Sequence, residues 1–162
     1  MNSRAATIVG IALLTALGCS SGYQRAYDRE TQKLQAEQRV RDEKDTAEHA
    51  QASRFAAVVY FEVGSAVVGK DGERELQWFV EKMQPYPKAQ ILVQGFADTT
   101  GTEEKNKTLS QDRARAVSSV LASKGIDASR LITQGYGTDS PAAANTTATG
   151  RKNNRRVEVT VR

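Results

Sequence analysis

The sequence predicts an α/β two-layer sandwich with helices packed on a mixed sheet, and three observations carry that prediction. Past residue 54, short apolar runs rich in Val, Ile and aromatic residues alternate with longer segments whose apolar residues recur at helical spacing. Glycines and prolines fall at the joints between them. The resulting order is β-α-β-α-β-β over residues 55–162, enough chain for one layer of helices on one sheet.

Two segments precede this domain. Residues 1–18 carry Arg4 and then an apolar run over positions 5 to 17. A bilayer span takes about 20 residues, so this shorter run reads as the core of a signal peptide. The only cysteine, Cys19, follows directly, and a single cysteine excludes an intrachain disulfide. The junction resembles a bacterial lipoprotein signal cleaved between Gly18 and Cys19, although Ala16 stands where such signals carry leucine. That resemblance implies acylation of Cys19. Ser20, in place of an aspartate, implies the outer membrane.

Residues 19–54 read as a charged spacer. Positions 23–54 hold seven basic and seven acidic side chains, no Gly and no Pro, and mostly good helix formers. Glu37 and Arg41 form one favourable pair four residues apart. Tyr23, Tyr27, Leu34 and Val40 sustain no heptad, so a solvated helix or tether is expected, with a coiled coil as the alternative. The only histidine, His49, lies here without a second histidine or a cysteine to complete a metal site.

The domain's elements follow in order. "FAAVVYF" is a strand, and "EVGSAVVGKDG" is a turn region. Leu76, Phe79, Val80 and Met83 mark the buried face of a helix over about 71–84, with Trp78 at its edge and Pro85 and Pro87 as its stop. "AQILVQG" is a second strand, expected to run parallel to the first through a crossover. Leu109, Ala116, Val117, Val120 and Leu121 give a long helix one apolar face, and Gly125 is placed to end it. "RLITQGYG" is the third strand, and "TDSPAAANTTATGRKNN" is loop by composition. In "RVEVTVR", Val157, Val159 and Val161 alternate as in a half-buried strand.

One stretch, "GFADTTGTEEKNKTLSQDRARAV", sets an acid, Asp98, just past the second strand and a guanidinium, Arg113, about three turns into the next helix. Strand ends are where α/β sheets place ligands. Asn106, Ser110 and Arg113 share a row at i, i+4 and i+7, expected to be the helix's polar face, so Asn106 and Arg113 can line a groove with Asp98. An acid and a fork-shaped cation suit a zwitterion, the acid taking an ammonium and the arginine a carboxylate. A plain Asp98–Arg113 salt bridge, or Asp98 as a turn residue, fits the same residues.

Four matches run collinearly through residues 59 to 162: "YFEVGSAVV", the stretch just quoted, "LASKGIDASRLITQGYGTDSP" and "ANTTATGRKNNRRVEVTV". Together they resemble an OmpA-like peptidoglycan-binding domain, here in an outer-membrane lipoprotein resembling the peptidoglycan-associated lipoprotein. The resemblance implies binding to diaminopimelate of the peptidoglycan stem peptide through Asp98 and Arg113. It places Asn106 and Thr100 beside the ligand and gives Arg155 a supporting role. Periplasmic envelope proteins are the implied further partners, and docking such a protein, with wall binding secondary, is the alternative function. The family usually has His-Thr where this chain has Phe96-Ala97, which removes two polar side chains next to Asp98.

Other classes fit less well. The net charge of +4 is too small to imply nucleic acid, and the basic run "GRKNNRR" reads as a solvated loop. Residues 55–162 lack histidine and cysteine. Asp98 with Glu103 or Glu104 supplies the two carboxylates a glycosidase needs, but the arginine explains the groove better. A binding module without enzyme activity, metal or cofactor is therefore expected.

Overall fold

The computed structural model describes residues 21–162. The apolar run and Cys19 lie outside the described residues. The chain divides between Lys44 and Asp45 into two compact units.

Helix α1, Ser21–Ala52, is continuous. Its surface is tied by local pairs: Gln24 with Asp28, Gln38 with Asp42, and Arg41 with Glu37 at 4.0 Å. Tyr23, Tyr27, Leu34 and Val40 are all exposed, as a helix polar on every side requires. From Asp45 onward α1 belongs with the globular unit. There Lys88 reaches Asp45 at 3.0 Å, the Tyr86 hydroxyl donates to Gln51, and Ala52 is buried. Phe55 sets its ring edge-on to Trp78, 6.2 Å between centroids.

The globular elements are β1 (Ala56–Tyr60), α2 (Lys70–Met83), β2 (Ile91–Gly95), α3 (Glu103–Ser123), a 3-10 turn (Ala128–Arg130), β3 (Leu131–Gly135), α4 (Ala148–Asn154) and β4 (Arg156–Val161). The sheet order is β1-β4-β2-β3. β4 runs antiparallel to β1 and to β2, and β2 runs parallel to β3. The first two strands are thus parallel, as expected, but not neighbours: the last strand lies between them. The alternating valines explain its central place. Val157 and Val159 are fully buried among Val59, Ile91 and Val93 of its two neighbours and the α2 and α3 side chains Leu76, Phe79, Met83, Val117 and Leu121.

The segment expected to be loop contains α4. Its N-cap Thr147 accepts from the Gly150 amide at 2.9 Å. A side chain at Gly150 would meet the Ala144 carbonyl oxygen at 1.9 Å, so this short helix carries a glycine that helix propensity counts against. Asn154, fully buried, both donates to and accepts from Ala143 and ties the preceding loop to α4.

Candidate functional site

Two glycines let α3 lie almost on the strand ends. A Cβ at Gly95 would stand 2.1 Å from the Ser110 carbonyl oxygen, and one at Gly135 would stand 2.4 Å from the Gln111 amide nitrogen. The Gln111 side chain accepts from the Gly135 amide, and the Ser110 hydroxyl accepts from the Gly137 amide, both at 2.8 Å. Helix α3 is thereby keyed to the β3 end by side chains that a helical polar face would normally offer to water.

This close approach reverses one sequence expectation. The row Asn106, Ser110 and Arg113 is buried, continuous with Ala114, Val117 and Leu121. Arg113 is fully buried. Its Nε donates to the Ser65 carbonyl at 2.8 Å, Nη2 to Glu62 at 3.0 Å and Nη1 to Phe96 at 3.2 Å. The guanidinium also lies over the Phe61 ring, 5.3 Å from its centroid. All three partners are neutral carbonyls, from the β1–α2 loop and the end of β2. Gly64, at the turn of that loop, has φ 67, the left-handed region that favours glycine.

Asp98 is 5% exposed and pairs with Arg155, not with Arg113. Its Oδ2 accepts from Arg155 Nη1 at 2.9 Å, and its Oδ1 accepts from the Thr100 amide at 2.9 Å, closing an Asx turn. Arg155 donates its Nε to the Phe61 carbonyl at 3.0 Å. Thr100 is exposed at the rim. Asn106 is 4% exposed, and its backbone amide donates to the Thr102 carbonyl at 3.0 Å; the one buried side-chain atom without a hydrogen-bond partner among the described residues is Arg156 Nη1. Asp98 and Arg155 thus form a direct pair, and Arg113 is near enough to feel the charge of both.

The electrostatics differ between the two charged residues. Burial pushes the Arg113 guanidinium down to about 10; the Arg155 cation pushes the same way, and Asp98 partly opposes both. For Asp98, burial would raise the carboxyl, but hydrogen bonds from Arg155 and Thr100 outweigh it and hold it below its ordinary value. The cluster therefore has two guanidinium cations and one carboxylate. It carries one excess positive charge in a partly dehydrated place, an arrangement that favours an incoming anion.

Among the described residues, no group of three or more His, Cys, Asp or Glu side chains is placed to hold a metal ion. Sequence reasoning missed the carbonyls of Glu62, Ser65 and Phe96, because a backbone acceptor leaves no residue signature. It also missed the keying role of Ser110, whose place in the Asn106–Arg113 row was the available signal.

Residues 60–155 match the OmpA family, and the chain belongs to that family. It is 43% identical over 103 residues to the probable lipoprotein YiaD of Escherichia coli, covering 64% of this chain and 47% of that one. It is 36% identical over 98 residues to the peptidoglycan-binding protein ArfA of Mycobacterium bovis, covering 60% of this chain and 30% of that one. The crystal structure of the peptidoglycan-associated lipoprotein from Burkholderia pseudomallei superposes with a TM-score of 0.63 at 29% identity, covering 65% of this chain and 90% of the other. The chain thus spans less than half the length of either sequence relative.

Proposed function

We propose that residues 55–162 bind peptidoglycan non-covalently by holding the diaminopimelate of its stem peptide. Asp98 receives the ammonium of the free end of that residue and Arg113 its carboxylate. Asn106, nearly buried on the same row of α3 as Arg113, and Thr100 at the rim complete the contacts. Arg155 holds Asp98 ionised and in place. The observation that carries the reading is Arg113: a fully buried guanidinium with three carbonyl partners and no carboxylate of its own. Membership of the OmpA family, and the similarity to the peptidoglycan-binding protein ArfA and to the Burkholderia peptidoglycan-associated lipoprotein, support it.

In the same proposal, residues 1–18 are a signal peptide, Cys19 is acylated, and residues 19–54 are the spacer between the outer membrane and the wall. The domain then faces the periplasm and tethers membrane to wall without catalysis. Replacing Cys19 by Ser is expected to abolish incorporation of labelled fatty acid; unchanged labelling would remove the anchor from the proposal.

Lysine, which replaces diaminopimelate in other cell walls, keeps the ammonium but lacks the second carboxylate. A site that matches a polar group rejects the analogue without it more strongly than an apolar pocket does. Diaminopimelate-type muropeptides are therefore expected to bind at least about tenfold tighter than lysine-type ones, roughly 1.4 kcal/mol. Calorimetric titration of the full-length chain with both would decide it. Equal affinity would leave Asp98 and Arg113 as structural residues.

A further inference from the structure

Just past the ends of β2 and β3, and reached from α3 by Lys107, four side chains form a stack. Phe96 and Tyr136 lie nearly parallel, 15° apart with centroids at 5.5 Å. The Arg156 guanidinium covers the Phe96 ring at 4.0 Å, and Lys107 reaches over the Tyr136 ring at 5.9 Å. Arg156 is itself fixed: its Nε donates to Glu158 at 2.6 Å and its Nη2 to the Ser140 carbonyl at 3.2 Å. Phe96 is the member whose backbone enters the candidate site. Its carbonyl accepts from Arg113 Nη1, its amide donates to the Arg156 carbonyl at 2.8 Å, and Asp98 follows two residues later. The ring is 5% exposed, so its position fixes the local backbone.

We infer that Phe96 is a positioning residue for the binding site: packed against Tyr136 and Arg156, it sets the carbonyl that orients Arg113 and the backbone that presents Asp98. This rests on the binding function proposed above. Its physical basis is the aromatic stack with a cation over the Phe96 ring, whose strength depends on ring planes rather than on apolar volume. A purely aliphatic side chain fills the space but removes the stack. The apolar Phe96-Ala97 pair is thus part of how this chain builds the site: a packed ring fixes the backbone where a polar side chain would fix it by hydrogen bonds.

The test uses four variants of the full-length chain. Phe96→Leu keeps an apolar side chain and loses the ring. Tyr136→Leu breaks the stack at the half-exposed member, where folding is tolerant, and Tyr136→Phe retains the ring while losing the hydroxyl that accepts from Gln94. Arg156→Lys keeps the charge and loses the planar cover. Two quantities are measured: affinity for a diaminopimelate muropeptide, and the Arg113 Nε–H resonance with its solvent-exchange rate, which needs no ligand. Phe96→Leu and Tyr136→Leu are expected to weaken binding about five- to twentyfold, to shift the resonance and to speed its exchange. Arg156→Lys is expected to do the same to a smaller extent. Tyr136→Phe is expected to match wild type within twofold in both. Wild-type affinity and an unmoved resonance in both leucine variants would overturn the inference, as would a loss in Tyr136→Phe equal to that in Tyr136→Leu. If wild type binds no muropeptide, the binding proposal fails, and the resonance alone still decides whether Phe96 positions Arg113.

Discussion

Helices α1 and α3 are the two longest in the molecule's described residues, and they are held by opposite means. Up to Lys44, α1 shows water a mixed surface and draws on helix propensity and pairs four residues apart. α3 buries one continuous row, and the half of that row nearest the strand ends is Asn106, Ser110 and Arg113. A polar residue on α1 is replaceable because water satisfies it. Ser110 and Arg113 on that row of α3 have specific partners, and removing either side chain takes a bond from them. The same residue types therefore carry different weight, and distance from water decides which.

The largest test of this contrast is Arg113→Ala. Three carbonyls, those of Glu62, Ser65 and Phe96, lose Arg113 at once; Glu62 keeps the Ser65 amide at 3.2 Å, and Ser65 and Phe96 are left without that donor. An unsatisfied buried polar group costs about 1–3 kcal/mol, so with two such carbonyls a loss of about 2 kcal/mol or more is expected in urea unfolding. The sequence alone places Arg113 at a groove, where its removal would leave the fold intact; its complete burial reverses that expectation. Binding loss in Arg113→Ala must therefore be read together with stability, and Arg113→Lys, which retains a cation, is the cleaner binding variant. An unfolding midpoint equal to wild type in Arg113→Ala would break the comparison.

Gly95→Ala comes next. Its methyl would stand 2.1 Å from the Ser110 carbonyl oxygen, and backbone cannot swing aside as a flexible side chain does. Overpacking of this kind costs about 1–3 kcal/mol. Thermal melts of this variant should fall well below wild type. An unchanged melting temperature would mean that α3 can lift off the strand without cost.

Much of this arrangement was legible in the sequence, and what was not has a physical reason. Periodicity marked both helices and all four strands, since Leu76, Phe79, Val80 and Met83, and Val157 and Val159, bury themselves at the spacing their elements demand. Strand adjacency was not legible, because the insertion of β4 between β1 and β2 depends on pairing across the whole domain. α4 was hidden by Gly150, whose close approach to Ala144 is a packing property that composition reads as loop. In the candidate site, Asp98, Arg113 and Asn106 were singled out from the residues themselves, and Thr100 and Arg155 only by the family resemblance. Their pairing did not: the link between Asp98 and Arg155 spans 57 positions, and the partners of Arg113 are backbone oxygens.

A smaller effect concerns the one carboxylate of the cluster and its dependence on pH. The Asp98 carboxyl lies below its ordinary value when folded, so the folded state binds its proton less readily than the unfolded chain does. The stability it contributes is present above the unfolded value, near 3.8, and is lost as pH falls through the lower folded value. Wild type should therefore lose more stability than Asp98→Asn on acidification below about pH 4. Urea midpoints measured for both across that range check the sign. Parallel curves would show that Arg155 and Thr100 do not hold Asp98 ionised.

The smallest effect belongs to α1, and it sharpens the contrast from the other side. Val40 and Leu34 are exposed, at 65% and 54%, so neither has a core to leave. Exposed substitutions away from special features stay within about 0.5 kcal/mol. Val40→Ala even exchanges a β-branched residue for the best helix former, which offsets any lost contact. The globular unit's unfolding should be unchanged in Val40→Ala. A synthetic peptide of residues 21–52 should gain slightly in helicity on that substitution. Its circular dichroism should weaken gradually with heat and with salt, because ion pairs at the surface are screened, and should not depend on peptide concentration. A coiled coil would behave differently: Val40 and Leu34 would sit at a seam, Val40→Ala would lower helicity, and melting would be cooperative and steeper at higher concentration. That outcome would give α1 a buried face after all, supplied by a second copy, and the distinction drawn here between a helix held by water and one held by its partners would no longer separate α1 from α3.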